Sequence, residues 1–186
     1  YFDKAYELEQ KLEKAGKTEL LAMIRDVLPK HVRCVFVTQA EALGLGHAVL
    51  CAKPVVGNEP FAVLLPDDLI WNTGRGALGQ MIDLAEQEKA SVISVQEVPP
   101  EQTSSYGIVA APNFTGRFGV IEQIVEKPKP EVAPSNLAVV GRYVLSGDIF
   151  PILEKTRTGA GGEIQLTDAI AQLLKQDKVL AYQFEG

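Results

Sequence analysis

Residues 61–98 read FAVLLPDDLIWNTGRGALGQMIDLAEQEKASVISVQEV. Residues 61–65 are a compact apolar run stopped by Pro66-Asp67-Asp68, the pattern of a buried strand that ends in a turn. Residues 78–90 space their apolar side chains as an amphipathic helix does, and residues 91–98 read as a second strand. Upstream, residues 44–55 look like a loop entering a helix that ends before Gly57, and residues 32–37 are a β-branched run that predicts a strand. Strand–helix–strand–helix–strand predicts a parallel sheet covered by helices.

Further out the pattern changes. Residues 2–28 carry apolar residues at helical spacing (Leu8, Leu12, Leu20, Leu21, Ile24, Leu28), with Gly16 as a break between two helices and Pro29 as the stop. From Tyr106 onward, residues 107–111, 119–125 and 137–145 read as strands joined by Gly and Pro without a long helix, which predicts an antiparallel or mixed section. Helices at 148–155 and 163–176 and a last strand at 179–184 complete the pattern. No internal repeat, low-complexity tract or linker interrupts the 186 residues, so the expectation is one domain or a large piece of one.

Composition narrows the function. A chain that is 46% hydrophobic and 23% charged can bury a substantial core. Its net charge of −6 argues against broad binding to nucleic acid or to an anionic membrane, both of which need a basic face. A phosphorylated small molecule stays compatible if a metal ion or a few local cations offset the charge. No apolar run reaches the length of a bilayer span, and no signal-peptide pattern opens the chain. Cys34 and Cys51 lie among apolar residues without a partner motif, and are expected as buried free thiols of a reducing cytoplasm. His31 and His47 complete no zinc-ligand spacing with them. The chain starts at Tyr1 and runs straight into helical pattern, so it is expected to be cut from something longer.

Several segments have the residue types of a sugar-phosphate site. Val125-Glu126-Lys127-Pro128-Lys129 sets a carboxylate and an ammonium side by side at a strand end, where one suits sugar hydroxyls and the other a phosphate; a solvated turn has the same composition. Residues 38–48 form a glycine-rich loop at a helix start, able to approach a nucleotide closely, and Gln39 offers both donor and acceptor to a pyrimidine edge. A plain strand-to-helix turn fits these residues equally. The third glycine of a dinucleotide fingerprint is absent, because Val49 occupies its place, which counts against a nicotinamide-dependent dehydrogenase. Asp67, just past the carboxyl end of a buried strand, suits Mg²⁺ as one of its oxygen ligands, or simply caps the loop; Asp68 fits the start of the next turn. Gly107, after Tyr106, leaves bare backbone beside an aromatic wall, as a sugar site or an ordinary bulge would. Residues 159–170 read mostly as helix-start signals.

In this order the segments resemble the bacterial UTP–glucose-1-phosphate uridylyltransferase (UDP-glucose pyrophosphorylase) family. The most specific stretches are GLGHAVLCA (44–52), VEKPKPEVAPSNLAVVGRYVL (125–145) and GAGGEIQLTDAI (159–170), and the likeness runs over essentially the whole chain. It implies an α/β fold: a Rossmann-like mixed sheet flanked by helices, of the nucleotide-diphospho-sugar transferase type. Residues 1–186 would be the central and C-terminal part of one nucleotidyltransferase domain. The resemblance also implies a cytoplasmic, homo-oligomeric enzyme of carbohydrate metabolism using UTP, glucose 1-phosphate and Mg²⁺. Residue by residue, it implies that Gln39 and Gly44 read the uracil and that Asp67 binds Mg²⁺. Gly107 would contact the hexose through its backbone, and Glu126 would bind glucose hydroxyls. Lys127 would hold the sugar phosphate, and Val139 would line the sugar pocket.

The family's first strand, with its Gly-x-Gly-Thr-Arg phosphate loop, is expected before Tyr1, and a second metal-binding aspartate after Gly186. Without that strand the sheet would expose an edge, and the isolated chain is expected to swap, associate or fold poorly. Two alternatives stay open. A metal-dependent glycosyltransferase would transfer sugar to an acceptor without releasing pyrophosphate. A non-catalytic sugar-nucleotide-binding or assembly module would bind without turnover.

Overall fold

The computed structural model describes residues 5–29 and 31–186, in two compact units, Tyr1–Thr38 and Gln39–Gly186. In the first unit, helices α1 (Tyr6–Lys14) and α2 (Thr18–Arg25) are separated at Gly16, whose φ of 65° suits a residue without Cβ. Arg25 Nε donates to Glu9 Oε2 at 2.9 Å and ties one helix to the other. The Phe2 start of the helical pattern lies outside the described residues. Residues 32–37 form no strand, contrary to expectation; Val35 and Phe36 are 64% and 69% exposed. β-Branched composition fits a pleated surface, but a strand exists only where a neighbour takes its N–H and C=O groups, and no described strand pairs with this run. Cys34, within it, is therefore exposed rather than buried.

The second unit opens with α3 (Leu45–Cys51) and α4 (Lys53–Val56), then β1 (Phe61–Leu64), α5 (Ala77–Glu88) and β2 (Ser91–Glu97). Next come β3 (Gly107–Ala110), β4 (Phe118–Val120), β5 (Gln123–Glu126) and β6 (Leu137–Leu145). The predicted strand at 119–125 is thus two strands. Helices α6 (Ile149–Leu153) and α7 (Leu166–Leu173) and strand β7 (Val179–Gln183) complete the unit. The sheet order is β4-β7-β2-β6-β3-β5, with β1 also paired to β6. Among the described residues only β2 and β7 pair in parallel; the other pairings are antiparallel. β1 and β2 do run the same way, but they are not neighbours: β6 lies between them, antiparallel to both. The sheet is therefore mixed, and the parallel expectation for its first half fails because a later strand inserts itself.

Strand β6 has different neighbours on its two sides. On one side it pairs with β2. On the other, β1 covers Arg142 to Leu145 and β3 covers Leu137 and Ala138. β1 and β3 thus lie in line along one edge, with a break between them.

The β2–β6 ladder is irregular at the same level. Ile93 faces Tyr143, yet Val95 faces Val139, so Val140, Gly141 and Arg142 all stand opposite Ser94. Ser94 is fully buried, and its hydroxyl reaches Val140 O at 2.7 Å and Arg142 O at 3.0 Å. One hydroxyl thereby serves carbonyls that the bulge removes from the ladder. Around this region the main core packs Phe150 on Phe61, rings stacked with centroids 4.9 Å apart, together with Leu145, Ile149, Leu166 and Ile170.

Ser94→Ala leaves two carbonyls without that donor and is expected to cost about 1–3 kcal/mol of folding stability. Urea unfolding measured by circular dichroism checks this; a loss below about 0.5 kcal/mol would show that the bulge does not depend on the hydroxyl.

Candidate functional site

The break between β1 and β3 opens into a cleft of ≈ 330 Å³ on the edge of β6. Its walls come from the chain leaving β1, the start of β3, the end of β5, the middle of β6 and the start of α7. Five of the residues singled out in the sequence meet here: Asp67, Gly107, Glu126, Lys127 and Val139. A larger cavity, ≈ 880 Å³, between α6 and α7 contains none of them.

Glu126 ends β5 directly opposite Gly107. Its carboxylate is 19% exposed, and Thr167, in the first turn of α7, donates to Oε2 at 2.6 Å. A carboxylate so held is fixed in orientation. Among the described residues, the partner of Oε1 is the Lys127 ammonium alone, at 3.9 Å, so Oε1 keeps acceptor capacity for a ligand. Lys127 donates its backbone N–H to Tyr106 O at 3.0 Å and adopts φ 44°, in the left-handed region that non-glycine residues rarely enter. The ammonium is 60% exposed. Strain of this kind persists where neighbouring structure over-determines it, and here it turns the chain so that Lys127 and Glu126 share one rim.

Gly107 forms the floor. A Cβ built on it would lie 3.4 Å from both Glu126 Oε2 and Thr167 Oγ1 and 3.6 Å from Val139 Cγ2. A methyl would fit there without a clash, but it would fill the space over the carboxylate.

The opposite wall is built on the β6 bulge. Gly141 N–H donates to Asp68 Oδ2 at 2.8 Å, and Leu65 N–H donates to Gly141 O at 2.8 Å. Arg142 adds a clamp, its guanidinium donating to the carbonyls of Leu65, Gly141 and Asp68. Asp68 is thus used to dock the β1 exit onto β6. Asp67 is exposed to the cleft, and its carboxylate bonds to none of the described residues. Among the described residues no three His, Cys, Asp or Glu side chains converge as a metal cage. One free carboxylate nevertheless fits Mg²⁺, which commonly takes one or two carboxylates plus substrate phosphates.

Two residues that the sequence does not single out belong to the cleft. Thr167 reads in sequence, with its neighbours, as a helix-start signal, yet its hydroxyl orients Glu126. Tyr143 is 7% exposed, and its hydroxyl is bonded to none of the described residues. Burial, helped by the negative charges of Glu126 and Asp68, pushes its phenol well above the usual tyrosine range, so it remains a donor. Val139, Gly141 and Tyr143 alternate along β6, and that period of two is the signal that points to Tyr143.

Gln39 and Gly44 do not line the cleft. The strand expected at residues 32–37 would have ended just before Gln39, but no described strand precedes Gln39; its Nε2 donates to Gly44 O at 3.1 Å. Gly44 has φ 93°, and a Cβ there would come within 2.7 Å of Glu163 Cβ. Gly46 N–H donates to Ile164 O at 2.8 Å, and Ile164 N–H to Leu43 O at 2.7 Å. The glycine loop is therefore stitched to the segment that leads into α7, and Leu45, between the two glycines, lines the cleft. Cys51, half-buried rather than buried, lies at the other end of α3.

The sequence pattern of nucleotidyl transferases matches residues 3–186. The chain belongs to the nucleotidyl transferase family. A UTP–glucose-1-phosphate uridylyltransferase of Pseudomonas aeruginosa is 46% identical over 189 residues, covering 100% of this chain and 67% of that protein. One of Bacillus subtilis is 47% identical, covering 100% of this chain and 63% of that protein. The chain thus spans about two thirds of the length of these relatives. Among solved structures, a UTP-bound UGPase from Acinetobacter baumannii superposes with a TM-score of 0.89 at 46% identity, covering 100% of this chain and 65% of that one. A UDP-glucose pyrophosphorylase complexed with UDP-glucose superposes at 0.87 and 40% identity, with 100% and 67% covered. The Rossmann-like mixed sheet flanked by helices is therefore the fold of this family.

Two glycines of the cleft should respond unequally to alanine. At Gly141 a Cβ would meet Asp68 Oδ2 and lie 2.6 Å from Leu65 Cβ, so Gly141→Ala is expected to destabilise by about 1–3 kcal/mol. Gly107→Ala should stay within about 0.5 kcal/mol of the parent. Thermal unfolding of both variants distinguishes them; equal losses would contradict the geometry.

Proposed function

We propose that the protein transfers a uridylyl group from UTP to glucose 1-phosphate, giving UDP-glucose and pyrophosphate. The observation that carries this reading is the Glu126 carboxylate, oriented by Thr167, open at Oε1 above the bare backbone of Gly107 and beside the Lys127 ammonium. Hexose hydroxyls donate to Glu126, the sugar ring lies over Gly107 against Val139, and Lys127 meets the phosphate on the anomeric carbon. The donor hydroxyl of Tyr143 faces the same space. Gln39 and Gly44 take the uracil edge from the glycine loop. The related structures with UTP and with UDP-glucose support this assignment of substrates.

In the reaction an oxygen of the sugar phosphate attacks the α-phosphorus of UTP in line, and pyrophosphate leaves. No covalent nucleophile is required, so the contributions of this chain are positioning and electrostatics. Two anions must approach in a cleft that already contains Asp67, Asp68 and Glu126. Lys127 offsets part of that repulsion, which explains why its backbone is held in a strained conformation. Asp67 would hold Mg²⁺, which would supply further positive charge to offset the repulsion of the phosphates. A cytoplasmic setting and homo-oligomeric assembly belong to the same proposal.

In the complete protein, Lys127→Ala is expected to lower kcat by on the order of 10²-fold or more, as loss of an electrostatic stabiliser does. Near-normal turnover would remove Lys127 from the mechanism. Glu126→Ala should act mainly on affinity for glucose 1-phosphate, because it leaves sugar hydroxyls unpaired. Release of pyrophosphate, measured in a coupled assay, separates this reaction from sugar transfer to an acceptor.

A further inference from the structure

The amide of Gln39 is held from behind by a side chain to which the proposed reaction gives no part. Gln39 Nε2 lies 3.1 Å from Gly44 O and 3.0 Å from His47 Nδ1. Gly44 O can only accept, so the amide nitrogen, not the oxygen, must face it. That nitrogen has a second hydrogen, which it donates to His47 Nδ1. Nδ1 therefore accepts, and the ring proton sits on Nε2, which faces Cys51 Sγ at 3.9 Å. Cys51 lies four residues after His47, one turn along the same face of α3. Both N–H groups of Gln39 are thereby used. Its Oε1 is bonded to none of the described residues.

We infer that His47 is a positioning residue that fixes the Gln39 amide with its oxygen outward and so helps to select the nucleobase. The inference rests on the proposed placement of Gln39 at the base edge. Uracil presents an N3–H, which an outward carbonyl oxygen accepts. Cytosine N3 bears no hydrogen and meets the same oxygen lone pair to lone pair. A base that offers no donor at this position is rejected because the amide cannot turn: reversal would face Oε1 to Gly44 O and break both bonds at once. With Nδ1 removed, one N–H of Gln39 loses its partner, the terminal torsion is held by Gly44 O alone, and the distinction between the bases weakens.

The test is steady-state kinetics of the complete enzyme with UTP and with CTP, for the parent, His47→Ala, His47→Asn and Gln39→Ala. An asparagine places Oδ1 close to where Nδ1 stood and restores the acceptor. His47→Ala is expected to lower the UTP-to-CTP ratio of kcat/KM by on the order of tenfold, the worth of one such hydrogen bond. The change should fall on KM for UTP, with KM for glucose 1-phosphate unmoved, which a general loss of structure would not produce. His47→Asn should recover most of the ratio, and Gln39→Ala should lower it at least as far as His47→Ala. An unchanged ratio in His47→Ala, or an asparagine variant as impaired as the alanine one, overturns the role of His47. A parent enzyme without turnover of UTP overturns the proposed function itself. A Gln39→Ala variant with its ratio intact overturns the assignment of Gln39, and in either case the inference falls with it.

Discussion

The bulge of β6 opposite Ser94 is the constraint on which the cleft depends. Three residues of β6 stand against one of β2, and at the same level the opposite edge of β6 has no single regular partner. Its other edge is divided between β1 and β3, and Gly141, between them, turns its N–H and C=O toward the β1 exit instead of toward a neighbouring strand. Gly141 makes the arrangement possible, because the docked chain comes too close for any side chain there. Arg142 then collects three carbonyls of that junction on one guanidinium. A cleft made in this way has polar backbone close at hand, and that backbone is satisfied before any ligand arrives.

Function arises from the groups left over. Asp68 is consumed in docking, whereas Asp67 beside it is free. Glu126 has one oxygen fixed by Thr167 and one open. Lys127 is the cation on the rim, placed there by an unfavourable φ. Each division separates a structural role from a free group within adjacent residues, and it leaves a small cleft with the groups that the proposed binding of a sugar phosphate requires. The glycine loop is attached to this system through Ile164 and the start of α7, so the proposed base-reading side chains and the sugar floor share one support.

Much of the candidate cleft is legible in the sequence because its polar residues lie in short local runs. Glu126-Lys127, Pro66-Asp67-Asp68 and Tyr106-Gly107 lie at strand ends, where apolar runs meet turn residues, and such boundaries show in a single sequence. What escapes is long-range. The place of β6 between β1 and β2 depends on pairing across forty residues or more, which a local βαβ pattern does not reveal. Thr167 carries no mark that distinguishes a carboxylate-orienting hydroxyl from a helix-start signal until the fold brings it to Glu126. Residues 32–37 fail in the opposite sense: their composition suits a strand, but none of the described strands pairs with them. The two cysteines likewise take their exposure from their surroundings, Cys34 exposed in that unpaired run and Cys51 half-buried on α3.

The central claim is that the cleft between β1 and β3, rather than the larger cavity between α6 and α7, receives the sugar nucleotide. A crystal structure of the protein with UDP-glucose tests it most directly. The expected result is the hexose over Gly107 and Val139, with hydroxyls within hydrogen-bond distance of Glu126 and the diphosphate on the side of Lys127 and Asp67. Density for the ligand among Lys155, Arg157 and Asp168, with the Glu126 cleft open to solvent, would contradict it.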